Sequence, residues 1–389
     1  MKRLLAAVLA ALTLFSLAAC GEQAPEEPAP PVQEEIPPAG PPPSTEPEPP
    51  ADPVEELLGR MTLEEKVGQV FFVRCPAENA VEDVRAYHLG GYILFGRDTK
   101  DKTANELIQA IQRYQDNAAI PLLIGVDEEG GTVVRVSSNP HLRSERFASP
   151  QRLYDFGGME RIAADAREKD VLLKALGFNV NLAPVADVST DPNDFIYARS
   201  FGQDGAATAE YISTVTAQMA ADGMGSVLKH FPGYDDNEDT HTGIAVDKRP
   251  YEDFVNGDFL PFSAGFESGG DATAVLVSHN IVECMDEALP ASLSPNVHRI
   301  LREELWFDGV VMTDDLAMEA VSAYAGDGAV AVMALEAGND LVLTTDYRTQ
   351  IPKVIAAVEN GDLDEAVINT ACRRVLRWKQ ALGLLEGLV

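Results

Sequence analysis

Basic residues are scarce in this chain. Its 389 residues hold 30 Lys and Arg against 62 Asp and Glu, a formal net charge of −32. Such a surface repels phosphate backbones, and no Lys/Arg block offsets it, so nucleic acid is not expected as a partner. Cysteine is scarcer still, with four in all. Four cannot form a dense disulfide framework, and Cys75, Cys284 and Cys372 lack the C-x-x-C spacing of a zinc site, so no structural metal is expected. No G-x-G-x-x-G follows the first strand-like run and no G-x-x-x-x-G-K-[ST] occurs anywhere, so a nucleotide site would lack its phosphate loop. The absence of a short letter-level repeat argues against a solenoid.

Long apolar runs are missing too, with one exception at the N-terminus. Lys2 and Arg3 precede a mostly apolar run from Leu4 to Ala19, and Cys20 follows. This reads as a signal peptide. The competing reading, a membrane anchor, is disfavoured because the run is short for a span and its downstream flank is acidic and proline-rich where a stop-transfer flank is basic. Leu17-Ala18-Ala19-Cys20 resembles a bacterial lipobox, which implies that Cys20 carries lipid and becomes the mature N-terminus. Two acyl chains make such anchoring stable. The resemblance therefore implies an extracytoplasmic protein held on the bacterial cell membrane through lipid alone. From Gly21 to about Pro53 the chain is mostly Pro, Glu and Ala, with hardly any large apolar residue. Such a segment cannot bury a core and is expected to be an extended, self-repelling tether. About 30 residues at roughly 3 Å each would reach several tens of ångströms. The expected organisation is a leader over residues 1–19, a disordered tether over 20–53 and a folded domain over 54–389.

Beyond the tether, short β-branched apolar runs alternate with longer amphipathic stretches, as in parallel strands joined by helices. The strands are expected at residues 67–73, 91–95, 122–126, 179–184, 226–229, 274–278, 309–313 and 340–344. Helical stretches lie between them, for example 103–115, 207–222, 328–337 and 363–382, with Thr103 placed to cap one and Gly338 to end another. Eight β/α units predict an α/β fold of the (β/α)8 TIM-type barrel class, with a doubly wound open sheet as the alternative.

In a barrel, chemistry sits where strands end, because the interior is packed and only that rim is open. The polar clusters fall there: Asp127-Glu128-Glu129-Gly130-Gly131 after the third strand, Arg199 in the loop after the fourth, Lys229-His230-Phe231-Pro232-Gly233 at the fifth, Ser278-His279 at the sixth and Asp314-Asp315 at the seventh. A lone strand-end Asp is more often a helix cap than a catalyst. Four such clusters at one rim, with the lone Arg199 beside them, point to a site, and their residue types suit hydroxyl-rich sugars held by charge-assisted hydrogen bonds.

Cleaving a glycosidic bond needs an acid for the leaving oxygen and, with retention, a carboxylate to attack the anomeric carbon. Asp314 is the candidate nucleophile, because a rigid apolar strand aims it into the mouth. Asp315 is better placed to cap the next helix. For the proton donor, the loop of residues 234–243 offers Asp239 and His241, an Asp two residues from a His that could orient and charge it. The bland alternative is an acidic surface loop with an incidental histidine. Asp235, Asn237 and Asp239 also begin like an EF-hand loop, but Thr240 and Val246 stand where that loop needs Gly and Glu.

With these motifs in view, the chain resembles glycoside hydrolase family 3, in its single-barrel β-N-acetylhexosaminidase branch. The most specific pieces are Lys229-His230-Phe231-Pro232-Gly233 followed by Asp239-Thr240-His241, and Gly309-Val310-Val311-Met312-Thr313-Asp314-Asp315. Asn181-Leu182-Ala183-Pro184-Val185-Ala186-Asp187-Val188 and Arg199-Ser200-Phe201-Gly202 support them. The resemblance implies Asp314 as nucleophile, His241 as acid/base with Asp239 as its partner, and Asp127, Arg135, Arg199, Lys229 and His230 around the terminal sugar. It implies removal of a non-reducing β-linked N-acetylglucosamine with retention, from peptidoglycan fragments or related oligosaccharides, by a monomer needing no metal or organic cofactor. It also implies that the helical stretch from Leu363, with Arg373, Arg374 and Trp378, closes the barrel. Because little sequence follows the eighth strand-like run, the second domain that supplies the acid in β-glucosidase relatives is not expected here. Two departures from the family pattern stand out: Thr132, where many relatives have Arg, and Tyr234-Asp235, where many have His-Gly. The rival expectations are a β-glucosidase, a phosphorylase and a non-enzymatic sugar-binding lipoprotein.

Overall fold

The computed structural model describes residues 52–234, 245–318, 321, 324 and 329–388. Eight parallel strands form one sheet: β1 (Phe71–Arg74), β2 (Gly91–Leu94), β3 (Leu123–Val126), β4 (Val180–Asn181), β5 (Gly225–Phe231), β6 (Thr273–Val277), β7 (Val311–Thr313) and β8 (Val342–Thr344). Each pairs with the next, β8 pairs back onto β1, and a Met312–Leu341 bridge links β7 to β8. The result is the barrel that the alternating pattern predicts, with helices packed outside it. Two two-residue strands, Val246–Asp247 and Ile281–Val282, pair separately.

Local chemistry fixes the helix ends. Thr103 caps Ala104–Gln115 reciprocally with Glu106, and Gly338, at φ +115°, ends Val330–Ala337 in a conformation that disfavours a β-carbon. The same chemistry corrects the first expected strand. Residues 67–69 belong to the helix Leu63–Gln69, started by a Thr62–Glu65 capping box, and β1 begins only at Phe71. Helix Pro53–Arg60, capped by Asp52, begins at the residue where the tether was expected to end.

Inside the barrel, Phe72, Ile93, Leu123, Val180, Leu182, Val227, Leu276, Met312 and Leu343 form one buried cluster. Phe72 fills its centre because two neighbours are glycines. A β-carbon on Gly125 would lie 2.5 Å from the Phe72 ring, and one on Gly91 2.7 Å from it. Truncating Phe72 to Ala should therefore cost about 3–5 kcal/mol through lost burial and a cavity. Helix Glu365–Ala381 seals the foot: Val375 and Trp378 join the interior cluster, and Trp378 Nε1 donates to the Ala272 carbonyl at 3.0 Å. This is the closing helix that the sequence pointed to. At the same end Asp340 accepts from Arg302 at 2.6 Å and from Arg374 at 3.1 Å.

Candidate active site

Alternate residues of a strand face opposite sides, so the interior set repeats at every second position. Continuing that count beyond the packed layer reaches the mouth. Phe72 leads to Arg74, Ile93 to Phe95, Leu123 through Gly125 to Asp127, Val227 to Lys229, and Met312 to Asp314. All five residues so reached line one cavity of about 370 Å³ at the carboxyl ends of the strands. Leu182, Leu276 and Leu343 line it as well, and Glu129, Arg135, Arg199, His230 and Asp315 complete its polar rim. The structure thus brings together six residues singled out in the sequence: Asp127, Arg135, Arg199, Lys229, His230 and Asp314.

Lys229 is the hub. Its ammonium lies 2.7 Å from Asp127 and 2.7 Å from Glu129, with the side chain almost fully buried. Burial alone would strip its proton, but the two carboxylates outweigh burial and hold its pKa above the usual lysine value. Glu129 also takes a two-point grip from Arg199, Nε to Oε2 at 3.0 Å and Nη2 to Oε1 at 2.8 Å. Burial pushes the Glu129 carboxyl up; Lys229 and Arg199 outweigh it and hold it at about 2. Buried charges in this number persist only when paired, and here each is.

His230 is fixed by two partners of opposite demand. Asp187 Oδ2 lies 2.7 Å from its Nδ1, and the same oxygen accepts the His230 backbone N–H at 3.0 Å. Its Nε2 lies 3.2 Å from Arg199 Nη2. A guanidinium only donates, so Nε2 accepts and the proton of the neutral ring sits on Nδ1, facing Asp187. The second Asp187 oxygen accepts Tyr234 N–H at 3.0 Å, and the buried Tyr234 ring packs edge-on against His230. The tyrosine that departs from the family pattern is therefore a wall behind His230.

Asp314 follows β7 and its Oδ1 accepts the Asp315 backbone N–H at 2.8 Å. Asp315 accepts from Ala317 N at 3.0 Å, from Thr345 N at 3.1 Å and from the Thr345 hydroxyl at 2.7 Å, so it ties the next turn to the loop after β8. Glu128, adjacent to two cavity residues, faces the other way. It accepts from the backbone N–H of Arg135, Val136 and Ser137, and so holds the loop that carries Arg135. His279 is buried behind the rim, 2.7 Å from the Ser292 hydroxyl, and does not line the cavity. Thr132 is exposed and also outside the lining.

Asp239, His241 and Cys20 lie outside the described residues. Among the described residues no group of three or more His, Cys, Asp and Glu is placed to hold a metal ion, and no helix is long and apolar enough to cross a membrane. Sequence reasoning missed three participants. Glu129 and Asp187 stood inside motifs already noted, and Arg74 was reachable by the two-residue period of β1.

Comparison with known proteins agrees with this geometry. The model of the glycosyl hydrolase family 3 N terminal domain matches residues 62–378. "Beta-hexosaminidase LpqI" of Mycobacterium tuberculosis is 30% identical over 328 residues, covering 81% of this chain and 82% of that protein. A "Beta-hexosaminidase" of Thiobacillus denitrificans is 32% identical, covering 77% of this chain and 87% of that protein. Among solved structures, the chain is similar to a glycoside hydrolase family 3 beta-N-acetylglucosaminidase from Paenibacillus sp. str. FPU-7, with a TM-score of 0.77 and 31% identity over 84% of this chain and 64% of that one. It is also similar to M tuberculosis LpqI, with a TM-score of 0.75 and 28% identity over 84% of this chain and 95% of that one. The cavity, its charged rim and these likenesses lead to one conclusion: the chain is a glycoside hydrolase and belongs to glycosyl hydrolase family 3.

Proposed function

We propose that the protein is a retaining exo-β-N-acetylglucosaminidase with Asp314 as its nucleophile. The observation that carries this reading is the delivery of the Asp314 carboxylate, by a rigid strand, into a cavity walled by the Lys229–Asp127–Glu129–Arg199 network. Relatives named for β-hexosaminidase and beta-N-acetylglucosaminidase activity support the amino-sugar substrate.

In this reading an Asp314 oxygen attacks the anomeric carbon while the glycosidic oxygen leaves with a proton, giving a covalent glycosyl-enzyme that water then opens with net retention. Asp127, Arg135, Arg199, Lys229 and His230 hold the terminal sugar. The proton comes from His241, set by Asp239. His230 is unsuited to that task, because its Nε2 lone pair is engaged by Arg199. Lys229 serves by donating hydrogen bonds from a charge that two carboxylates keep in place. Peptidoglycan fragments are the proposed substrates, and a lipid on Cys20 with the Pro/Glu-rich tether is the proposed attachment outside the cytoplasm.

Assaying 4-nitrophenyl N-acetyl-β-glucosaminide with wild type and Asp314→Ala tests the proposal. The variant should lose at least about a thousand-fold in kcat/KM, on the order of 4 kcal/mol of transition-state stabilisation. Equal rates would overturn it. Comparing aryl glucosides, and adding inorganic phosphate as an acceptor, separates a β-glucosidase or a phosphorylase from the hydrolase proposed.

A further inference from the structure

A second hollow lies at the foot of the barrel, between the closing helix and the turn before β7. Its volume is about 710 Å³, wider than the mouth, and Asp308, Gly309 and Val310 in its lining lead into the strand that delivers Asp314 at its far end. Trp306 lines this groove with 84% of its surface exposed. Among the described residues its indole has neither a hydrogen bond nor a ring partner. The backbone beneath it is strained: φ is +56°, in the left-handed region that Gly or Asn usually occupies at a helix end. Hydrogen bonds from Leu305 N to the Ile300 carbonyl and from Phe307 N to the Leu301 carbonyl, each 3.0 Å, hold the turn on both sides. A tryptophan there serves neither the turn nor the core. Such an outlier, kept in place by its neighbours, points to a role for the side chain itself.

The rest of the lining narrows the ligand. Arg373, Arg374 and Arg377 bring guanidinium groups from the closing helix, and Asp271 and Asp308 bring carboxylates. Arg373 Nε donates to Glu55 at 2.6 Å and Arg377 Nη2 to Asp52 at 2.9 Å, and a guanidinium has more donors than such pairs use. The carboxylates in the lining repel a polyanion, and the arginines repel a cation. Hydroxyl groups donate and accept alike, so a wall that offers both suits them. The bare indole adds a flat apolar surface for the C–H face of a pyranose ring, and Phe266 and Phe307, stacked with centroids 4.1 Å apart, extend it. An aromatic hollow with a few placed polar groups is the ordinary form of a small-ligand site.

We infer that the foot groove binds a neutral glycan chain, with Trp306 as the stacking platform, and so holds the enzyme on polymeric saccharide. The inference goes beyond the proposed reaction, because binding at the foot requires no cleavage at the mouth. The groove and Asp314 lie at opposite ends of β7, so a sugar held at the foot occupies a separate site, and small glycosides are cleaved without it.

The molecule carries its own reporter. Its two tryptophans, Trp306 and Trp378, both line this groove and neither lines the mouth, so indole emission reads the foot alone. The full-length Asp314→Ala protein, which leaves the ligand intact, is titrated with N-acetylchitohexaose. Emission should change to a saturable end point, and adding Arg377→Gln should weaken the apparent affinity at least about fivefold. Trp306→Gly suits the backbone, so it should keep the unfolding midpoint while calorimetry loses the foot binding event. Emission indifferent to saturating hexaose overturns the inference, and so does a response that Arg377→Gln leaves at full affinity. A midpoint that falls in Trp306→Gly with binding retained makes the indole a structural piece and overturns it too. A response to poly-L-glutamate with none to the hexaose assigns the groove to an acidic chain instead. Turnover of the aryl N-acetylglucosaminide is read separately, and Trp306→Gly alone should keep it within about twofold. If wild type does not cleave that glycoside, the proposed reaction fails, while the emission titration still decides the foot site.

Discussion

Among the described residues two lysines are buried, one at each end of the barrel, and they behave in opposite ways. Lys229 at the mouth lies between Asp127 and Glu129 and keeps its charge. Lys379, in the closing helix at the foot, reaches only the neutral Gln69 Oε1, at 2.6 Å, and burial drops its pKa to about 7. Burial is the same, so the partners make the difference. The mouth invests carboxylates in holding a cation where a ligand binds. The foot, which seals the barrel, tolerates a lysine that gives up its proton.

The sharpest way to break this comparison is to remove the mouth lysine. Lys229→Met strands Asp127 and Glu129 beside Arg199, and should cost about 3–5 kcal/mol of stability together with at least ~100-fold in kcat/KM. A variant that unfolds like wild type and keeps its activity would show that the network is ornamental. Acid should act on the same network from the carboxylate side. Glu129 is held near 2 from an ordinary 4.5, so the unfolded chain binds its proton first and stability contributed above pH 4.5 is lost as pH falls towards 2. That loss is on the order of 3 kcal/mol, and Glu129→Gln should abolish this part of the acid limb in denaturant titrations.

At the foot the slope has the same sign but lies at higher pH, where it relieves a penalty instead of building a gain. Between pH 7 and 10.5 the unfolded chain holds the Lys379 proton that the folded chain has released, so stability climbs with pH by at most about 1.4 kcal/mol per unit. Lys379→Met should remove that climb and stabilise the protein at neutral pH by about 1–3 kcal/mol; a destabilised variant with the slope intact contradicts the account. The smallest effect sharpens the comparison most. Gln69→Glu puts a carboxylate where Lys379 now finds an amide, and should flatten the alkaline slope. It also forfeits the amide bond to the His88 carbonyl at 2.8 Å, so the slope, not the total stability, is the measurement to follow.

Much of the barrel was legible because its strands are short apolar runs between strong helix signals. Seven of the expected strands fall on observed ones, with ends shifted by a few residues. The first was placed too early because Val67 and Val70 look like strand residues when read without the Thr62–Glu65 capping box, which starts a helix there. The site was legible where a motif ended on a charged residue, as at Asp127, Lys229 and Asp314. Arg74 was passed over because it stands alone after Phe71-Phe72-Val73, although the two-residue period places it on the same face as Phe72. The pairing inside the mouth was not legible. Nothing in Asp127-Glu128-Glu129 says that the middle residue turns away to hold a loop while its neighbours share a lysine; that choice is made by the tertiary positions of Lys229 and the 135–137 backbone. Asp187 likewise becomes meaningful only when β4 and β5 bring it under His230.

The most direct test of the central claim is to trap the intermediate. Incubation with a slow, fluorinated amino-sugar substrate followed by intact-mass and peptide mapping should show one added glycosyl group, carried on the peptide containing Asp314 and absent from Asp314→Ala. A glycosyl group mapped to any other residue, or substrate consumed with inversion and no adduct, would contradict the account.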